Sequence, residues 1–181
     1  EVNMKILNIH GYKGSSCNSA YIALKNFGCE VISPELDYDA LIPEETLEVL
    51  RCQITDNAVD VIVGTSLGGF YAAVLSAQLN LPVILVNPCL MPFIYLSRLG
   101  YTKDVKPYME MFGELLKLKS YNVSTVVGGQ DEIIDTQDFT QQLLQNGRYV
   151  IVPDGKHSGA TLSLDVNLPQ LLAGISFKCS G

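Results

Sequence analysis

The sequence predicts an α/β fold, a mostly parallel sheet of about six strands with helices on both faces. Short apolar runs alternate along the chain with longer segments of helical character, as they do when strands and helices follow one another. The apolar runs lack the polar–apolar alternation of a half-exposed sheet, so we expect both faces of the strands to be buried. With 181 residues, 48% of them hydrophobic and 17% charged, the chain 1–181 is predicted to form a single domain with a sizeable core.

Six short apolar runs are predicted to be strands. They comprise residues 4–9, 30–33, 59–63, 83–86, 122–127 and 149–152. The first run, MKILNI, ends at His10, and the third, VDVIV, consists mainly of the β-branched residues that favour strands. The fifth ends in a Gly-Gly pair and the sixth in a Pro-Asp-Gly turn, so each run has a defined end.

Five longer segments are predicted to be helices. They comprise residues 19–27, 43–56, 67–79, 136–146 and 162–173. The first predicted helix is followed by Gly28 and the fourth by Gly147, and glycine is common directly after the last residue of a helix. The second has Pro43 in its first turn, followed by two glutamates that favour the positive end of the helix dipole. The third is rich in Ala and Leu, and the last contains Pro169, which we expect to interrupt it.

One segment breaks this alternation of strands and helices. Residues 89–120, between the fourth and fifth predicted strands, contain CLMPFIYLSRLGY followed by an amphipathic MEMFGELLKLK. The segment is far longer than the few residues that usually connect a strand to the next element. We therefore predict a small helical, lid-like insertion over one end of the sheet.

Composition excludes several classes of function. The net charge of −7 argues against a nucleic-acid partner, because neutralising phosphates needs an excess of Lys and Arg. No apolar run reaches the length of about 18 residues that predicts a membrane span. Five scattered cysteines without a C-x-x-C pair indicate reduced thiols and a cytoplasmic location. The two histidines and five cysteines do not cluster, and no phosphate-binding loop occurs, so we expect neither a metal nor a cofactor.

The motif with the clearest chemistry is a G-x-S-x-G pentapeptide, GTSLG, centred on Ser66. It follows the strand VDVIV and begins the helix FYAAVLSAQL, which is the strand–turn–helix setting of a nucleophile elbow. The two glycines leave room where strand and helix pass close together, and the turn is expected to strain the Ser66 backbone. The alternative is a glycine-rich turn with a capping serine.

A serine nucleophile needs a general base, and the base needs an acid to orient it. His157 is the one histidine after Ser66, and it follows the sixth predicted strand in a loop. Asp131 lies just beyond the fifth strand, at the same edge of the sheet, and is the predicted acid. Asp154, in the same loop as the histidine, is the runner-up, whereas Glu132 is expected to point elsewhere.

The same chemistry needs two backbone N–H groups directed at the developing oxyanion. We predict the N–H of Leu67, the residue after the nucleophile, and that of Tyr12, in the glycine-containing loop after the first strand. His10 in that loop is expected to shape the turn, and Cys17 is not expected to be a nucleophile.

Five segments in order, IHGYKGS, IVGTSLGGFYA, VNPCLMP, VGGQDEIID and DGKHS, resemble the YqiA-like esterases, a family of small single-domain α/β-hydrolases. The resemblance runs from residue 4 to about residue 177, and the GTSLGGFYA block and Asn87-Pro88 are its most specific parts. It implies an α/β-hydrolase fold, with Ser66 as nucleophile, Asp131 as acid and His157 as base. The sequence departs from the family after the histidine, where an aromatic residue is expected, and in the segment 89–120.

The expected activity is hydrolysis of small or medium acyl esters through an acyl-enzyme intermediate. The predicted pocket is apolar and suits an acyl chain; its walls are assigned to Phe70, Leu90, Met91 and Phe93, with Met109 and Met111 as further candidates. For Phe70, packing in the core is an equally favoured alternative. The candidate anchors for an anionic substrate are Arg98, Lys103 and Lys106. The alternatives are an acyl-CoA thioesterase or acyltransferase with the same triad, and a non-catalytic binding module on a hydrolase scaffold.

Overall fold

The computed structural model of the protein describes residues 4–144 and 146–175, and it contains a six-stranded sheet in which all strands are parallel. The strands are β1 (Lys5–Ile9), β2 (Glu30–Ile32), β3 (Val61–Thr65), β4 (Val83–Val86), β5 (Val123–Gly128) and β6 (Arg148–Val152). They lie in the order β2-β1-β3-β4-β5-β6. The predicted six-stranded α/β architecture is confirmed, and β3, which precedes Ser66, lies in the interior of the sheet.

Seven α-helices occur in the described part of the chain. They are α1 (Ser19–Asn26), α2 (Pro43–Asn57), α3 (Leu67–Leu79), α4 (Pro92–Tyr95), α5 (Lys106–Phe112), α6 (Gln137–Leu143) and α7 (Leu164–Ala173). None of these helices is long and apolar enough to cross a membrane. Four cysteines, 17, 29, 52 and 89, are free thiols. The fifth, Cys179, lies outside the described residues, as do both ends of the predicted domain 1–181.

The core has two layers, one on each face of the sheet. Ile62 of β3 belongs to the layer that contains side chains of α2 and α3, whereas its neighbours Val61 and Val63 belong to the layer formed by α1 and α7. Successive residues of a strand point to opposite faces, so a central strand needs apolar residues at every position. This is why β3 has a continuous apolar run, and why helices cover both faces, as the sequence predicts.

The predicted strands and helices end within three residues of the observed ones, and two of the differences have a clear physical cause. The third strand begins and ends two residues later than predicted, because the Val59 N–H still bonds to Ile54 O at the end of α2, while Gly64 and Thr65 pair with β4. The predicted interruption at Pro169 is wrong: the residue lies inside α7, which continues to Ala173. Buried leucines on both sides of Pro169 pack into the second core layer and offset the backbone hydrogen bond that proline cannot donate.

The insertion, residues 89–120, is helical as predicted. It contains α4, α5 and two 3-10 segments, Leu96–Leu99 and Gly113–Lys117. Tyr108 and Leu115 are buried in the core layer that contains α3, and the Tyr108 hydroxyl receives a hydrogen bond from the Tyr71 hydroxyl at 3.1 Å. The second half of the insertion is therefore part of the core, and its role as a lid stays a prediction.

Candidate active site

Ser66 lies at a sharp turn between β3 and α3. Its backbone angles, φ 54° and ψ −119°, are rarely adopted by any residue other than glycine, so the predicted strain at this serine is confirmed. A Cβ atom on Gly64 would collide with the backbone of Gly68, and one on Gly68 would collide with the backbone of Ile9. The two glycines of the motif are therefore required by close backbone contacts, and they let the serine project beyond the sheet.

The structure brings Ser66, His157 and Asp131 together at the carboxyl edge of the sheet. His157 Nε2 lies 3.1 Å from Ser66 Oγ, and Nδ1 lies 3.0 Å from both carboxylate oxygens of Asp131. A carboxylate only accepts hydrogen bonds, so Nδ1 carries the ring proton and Nε2 is free to accept from the serine hydroxyl. The Asp131 side chain is 1% exposed and that of His157 19%, so water has little access to their contact.

Asp131 is held by four hydrogen-bond donors. Besides His157, the N–H groups of Ile133 and Ile134 donate to Oδ1 at 2.9 Å, and Gln137 Nε2 donates to Oδ2 at 3.2 Å. Burial alone would raise the pKa of Asp131. The hydrogen bonds from His157 and from the backbone N–H groups of Ile133 and Ile134 outweigh burial and lower the pKa below its ordinary value.

The runner-up for the acid, Asp154, is exposed and lies 3.5 Å from Gln130 Nε2.

The main chain of His157 is held by two side chains that sequence reasoning did not assign to the site. Glu132 Oε2 accepts the His157 N–H at 3.0 Å, and Asn87 Nδ2 donates to His157 O at 2.9 Å. Glu132 thus points away from the imidazole ring, as expected, but towards the histidine backbone. A signal existed for Asn87, which lies in one of the most specific segments of the family resemblance, although its partners could not be read from the sequence.

The loop after β1 passes directly beside the serine. A Cβ on Gly11 would lie 3.0 Å from Ser66 Cβ and 3.5 Å from Ser66 Oγ. Among the described residues, neither the Tyr12 N–H nor the Leu67 N–H has a hydrogen-bond acceptor, and Leu67 begins α3, where N–H groups lack helical partners. Both N–H groups are therefore available to a ligand, and their role as oxyanion donors stays a prediction.

His10 fixes the orientation of this loop. Leu36 N–H donates to His10 Nε2 at 3.0 Å, so the ring proton is on Nδ1, which donates to Gly11 O at 2.8 Å. Gly14 N–H donates to the same oxygen at 3.0 Å. Because a trans peptide points its C=O and N–H in opposite directions, these two bonds direct the Tyr12 N–H away from His10.

The insertion is attached to the site on both sides. On one side, Lys13 Nζ donates to Leu99 O at 2.8 Å, and the Tyr12 ring meets the Tyr101 ring edge-on at 5.9 Å. On the other side, the Tyr95 hydroxyl donates to the Asp135 carboxylate, four residues beyond Asp131. The insertion thus bridges the loop that follows β1 and the loop that follows β5.

The predicted pocket residues divide into two groups. Phe70 is 0% exposed and Leu90 2%, and both belong to the core layer around α3, so the pocket assignment of these two is corrected to core packing. A helix buried on all sides, as α3 is, does not reveal from its sequence which face meets a cavity. Met91 and Phe93 are partly exposed, and they stay the predicted pocket residues.

The predicted cationic anchors have local partners instead. Arg98 lies over the Tyr95 ring, Lys103 Nζ donates to Ala40 O at 2.8 Å, and Lys106 lies 3.8 Å from Glu110. Of the two methionines named as further pocket candidates, Met109 is largely exposed and Met111 packs against the core. No group of three His, Cys, Asp or Glu side chains that could hold a metal ion occurs in residues 4–144 and 146–175.

The sheet, the elbow and the helices define an α/β-hydrolase fold, and solved structures share it. One of the metagenome-derived lipolytic enzymes LipS and LipT is 14% identical, with a TM-score of 0.72 over 94% of each chain. Est1E from Butyrivibrio proteoclasticus is 18% identical, with a TM-score of 0.64 over 94% of this chain and 88% of that one. MGS-MChE2, an alpha/beta hydrolase enzyme from a lagoon-sediment metagenome of Mar Chica, Morocco, is 14% identical, with a TM-score of 0.65 over 94% and 89%. At these identities the likeness establishes the fold.

A family model described as an uncharacterised protein family, UPF0227, matches residues 5–173. The chain belongs to this family. It is the YqiA-like family, so the resemblance found in the sequence motifs is confirmed.

Proposed function

We propose that the protein is a serine hydrolase that cleaves small or medium acyl esters. The observation that carries this proposal is the position of His157, whose ring lies between Ser66 Oγ at 3.1 Å and both oxygens of Asp131 at 3.0 Å. This is the arrangement of nucleophile, general base and orienting acid that acyl transfer needs. The strained serine backbone and the free Leu67 and Tyr12 N–H groups support the same chemistry.

In the proposed mechanism His157 Nε2 takes the proton from Ser66 Oγ as this oxygen attacks the ester carbonyl carbon. The Tyr12 and Leu67 N–H groups stabilise the oxyanion that forms. His157 then gives its proton to the leaving alcohol, and the acyl group remains on Ser66. Water, deprotonated by the same nitrogen, attacks the acyl-enzyme. The bond between the acyl carbon and Ser66 Oγ then breaks, His157 returns the proton to Ser66 Oγ, and the acid is released. Asp131 accepts a hydrogen bond from the imidazolium and stabilises it.

A fluorophosphonate tests the proposal without knowledge of the substrate, because it reacts with activated serines. We expect one adduct per chain, located on Ser66 by peptide mapping, and none in His157→Ala. A panel of p-nitrophenyl esters and acyl thioesters would then separate the esterase from a thioesterase. If the folded wild-type protein forms no adduct and cleaves neither panel, the hydrolase proposal fails and a binding module on this scaffold is favoured.

Activity is expected to fall in a single step towards acidic pH, because a general base must be neutral to accept the serine proton. Asp131 does not add a second step near neutral pH, because its lowered pKa keeps the carboxylate charged there. The measurement is kcat/KM against pH, for which we expect a limiting slope of about one. A flat profile would argue against His157 as the base.

Gly11→Ala is expected to lower kcat/KM by about 100-fold. The new methyl group would press on Ser66 and displace the loop after β1, which carries the proposed oxyanion donor, the Tyr12 N–H. Gly113→Ala is the matched control, since a Cβ on Gly113 meets no atom within 4 Å. The assay is ester hydrolysis, with the melting temperature measured in parallel. Wild-type activity in a folded Gly11→Ala protein would exclude an oxyanion role for this loop.

A further inference from the structure

Asn87 connects three parts of the fold at the carboxyl edge of the sheet. It directly follows β4, is 0% exposed and has a left-handed backbone with φ 41°. Its Oδ1 accepts the N–H of Gly128, the last residue of β5, at 2.8 Å. Its Nδ2 donates to Lys156 O at 2.8 Å and to His157 O at 2.9 Å. One buried amide thus joins β4, β5 and the loop that carries the histidine.

The geometry of these partners requires a primary amide. The carbonyl oxygens of the consecutive residues Lys156 and His157 both accept from Asn87 Nδ2. The nitrogen that binds both of them must therefore carry two N–H donors. The Gly128 N–H needs an acceptor beside that nitrogen. Asparagine supplies two donors and an acceptor, whereas a carboxylate supplies no donor and a hydroxyl only one. Asparagine also tolerates the left-handed backbone better than most residues.

The Thr161 hydroxyl holds the residues on either side of His157: it accepts the Lys156 N–H at 2.8 Å and donates to Ser158 O at 2.7 Å. The part of the loop before Lys156 is anchored by backbone contacts with the end of β5 and the residues after it. Gln130 N–H donates to Gly155 O at 2.8 Å, and a Cβ on Gly155 would lie 3.0 Å from Gly128 Cα. These contacts end before the histidine. At His157 itself the main chain is held by side chains: its N–H by Glu132, which is exposed, and its C=O by Asn87, which is buried.

We propose that Asn87 is a positioning residue of the active site, which holds the His157 main chain so that Nε2 stays within hydrogen-bonding distance of Ser66 Oγ. This inference rests on the proposed serine hydrolase function. Because Asn87 has no exposed surface, it does not touch the substrate, and its effect is on kcat and not on KM. Asn87 is buried and Glu132 is exposed, so loss of the Asn87 contact has a larger effect than loss of the Glu132 contact.

The test is Asn87→Asp, which keeps the size of the side chain and the acceptor for Gly128 but removes both donors. We expect kcat and the rate of fluorophosphonate labelling to fall by about 10- to 100-fold, with KM unchanged. Asn80→Asp is the matched control, because Asn80 also has a left-handed backbone, with φ 56°, but caps the end of α3, before β4 and away from the His157 loop. Asn80→Asp is expected to keep wild-type rates.

A second readout does not depend on activity. The Nδ1 proton that His157 shares with Asp131 is expected to give a far-downfield proton resonance in the wild type, and this resonance broadens or shifts in Asn87→Asp but not in Asn80→Asp. If Asn87→Asp does not fold, Asn87→Gly removes the same donors and suits the left-handed backbone. A folded Asn87 variant with unchanged kcat and an unchanged resonance overturns the inference. A wild type that is neither labelled nor active on either substrate panel, but whose resonance changes in Asn87→Asp, would end the hydrolase proposal and leave the positioning role supported.

Discussion

Ser66→Ala is expected to reduce ester hydrolysis by about a million-fold, which corresponds to about 8 kcal/mol of transition-state stabilisation. The reason is that Ser66 Oγ is the atom that His157 Nε2 contacts, so its removal leaves the base without a nucleophile to activate. His157→Ala is expected to cost a similar factor, and the double variant little more, because the two residues act as a unit. The measurement is kcat for an activated ester such as p-nitrophenyl acetate.

Ser163→Ala is a matched control for this substitution. Ser163 also has a left-handed backbone, with φ 48°, but it is exposed, precedes α7 and makes no capping hydrogen bond with its side chain. Ser163→Ala also removes a hydroxyl from a residue with a positive φ, but it leaves the active site unchanged. Activity is therefore expected to remain at the wild-type value. A Ser66→Ala protein that retains more than about one per cent of wild-type kcat would contradict the proposed nucleophile.

Asp131→Asn is expected to lower kcat by about 10⁴-fold while the fold is kept. The N–H groups of Ile133 and Ile134 both donate to Oδ1, so the amide of the variant would place its oxygen there and its NH₂ group towards His157. The NH₂ group would then donate to Nδ1, and the ring proton would move to Nε2, where it blocks acceptance of the serine proton. Gln137 can adapt by turning its amide, because its Oε1 is buried and has no partner in the described structure.

Asp154→Asn separates the two candidate acids. Asp154 belongs to the same loop as His157, but it is exposed and its nearest hydrogen-bond partner is Gln130. We expect this variant to have wild-type kcat and to keep the downfield resonance of the His157 Nδ1 proton, which Asp131→Asn loses. The opposite result, a large loss in Asp154→Asn and none in Asp131→Asn, would transfer the role of the acid to the runner-up.

The sequence predicted those parts of the fold and site that depend on local pattern. The elbow at Ser66 is a contiguous motif between a strand and a helix, and Asp131 and His157 follow strands that end at the same edge. Glu132 and Asn87 could not be assigned, because their partners are backbone N–H and C=O groups, whose directions depend on the folded loop and not on residue type. The sequence left Phe70 open between the pocket and the core, because an apolar residue suits both, and its burial in the structure favours the core.

The attachment of the insertion to both loops of the site has a consequence for attempts to redesign the protein. Lys13 and Tyr12 tie the insertion to the loop proposed to bind the oxyanion, and Tyr95 ties it to the loop that continues from Asp131. Under the proposed function, changes made in the insertion to admit a bulkier acyl group would therefore also move the loop of the proposed oxyanion donor and the loop that follows Asp131. We expect acyl selectivity and turnover to be coupled for this reason, and laboratory evolution for a new substrate to yield compensating substitutions in the loops after β1 and β5.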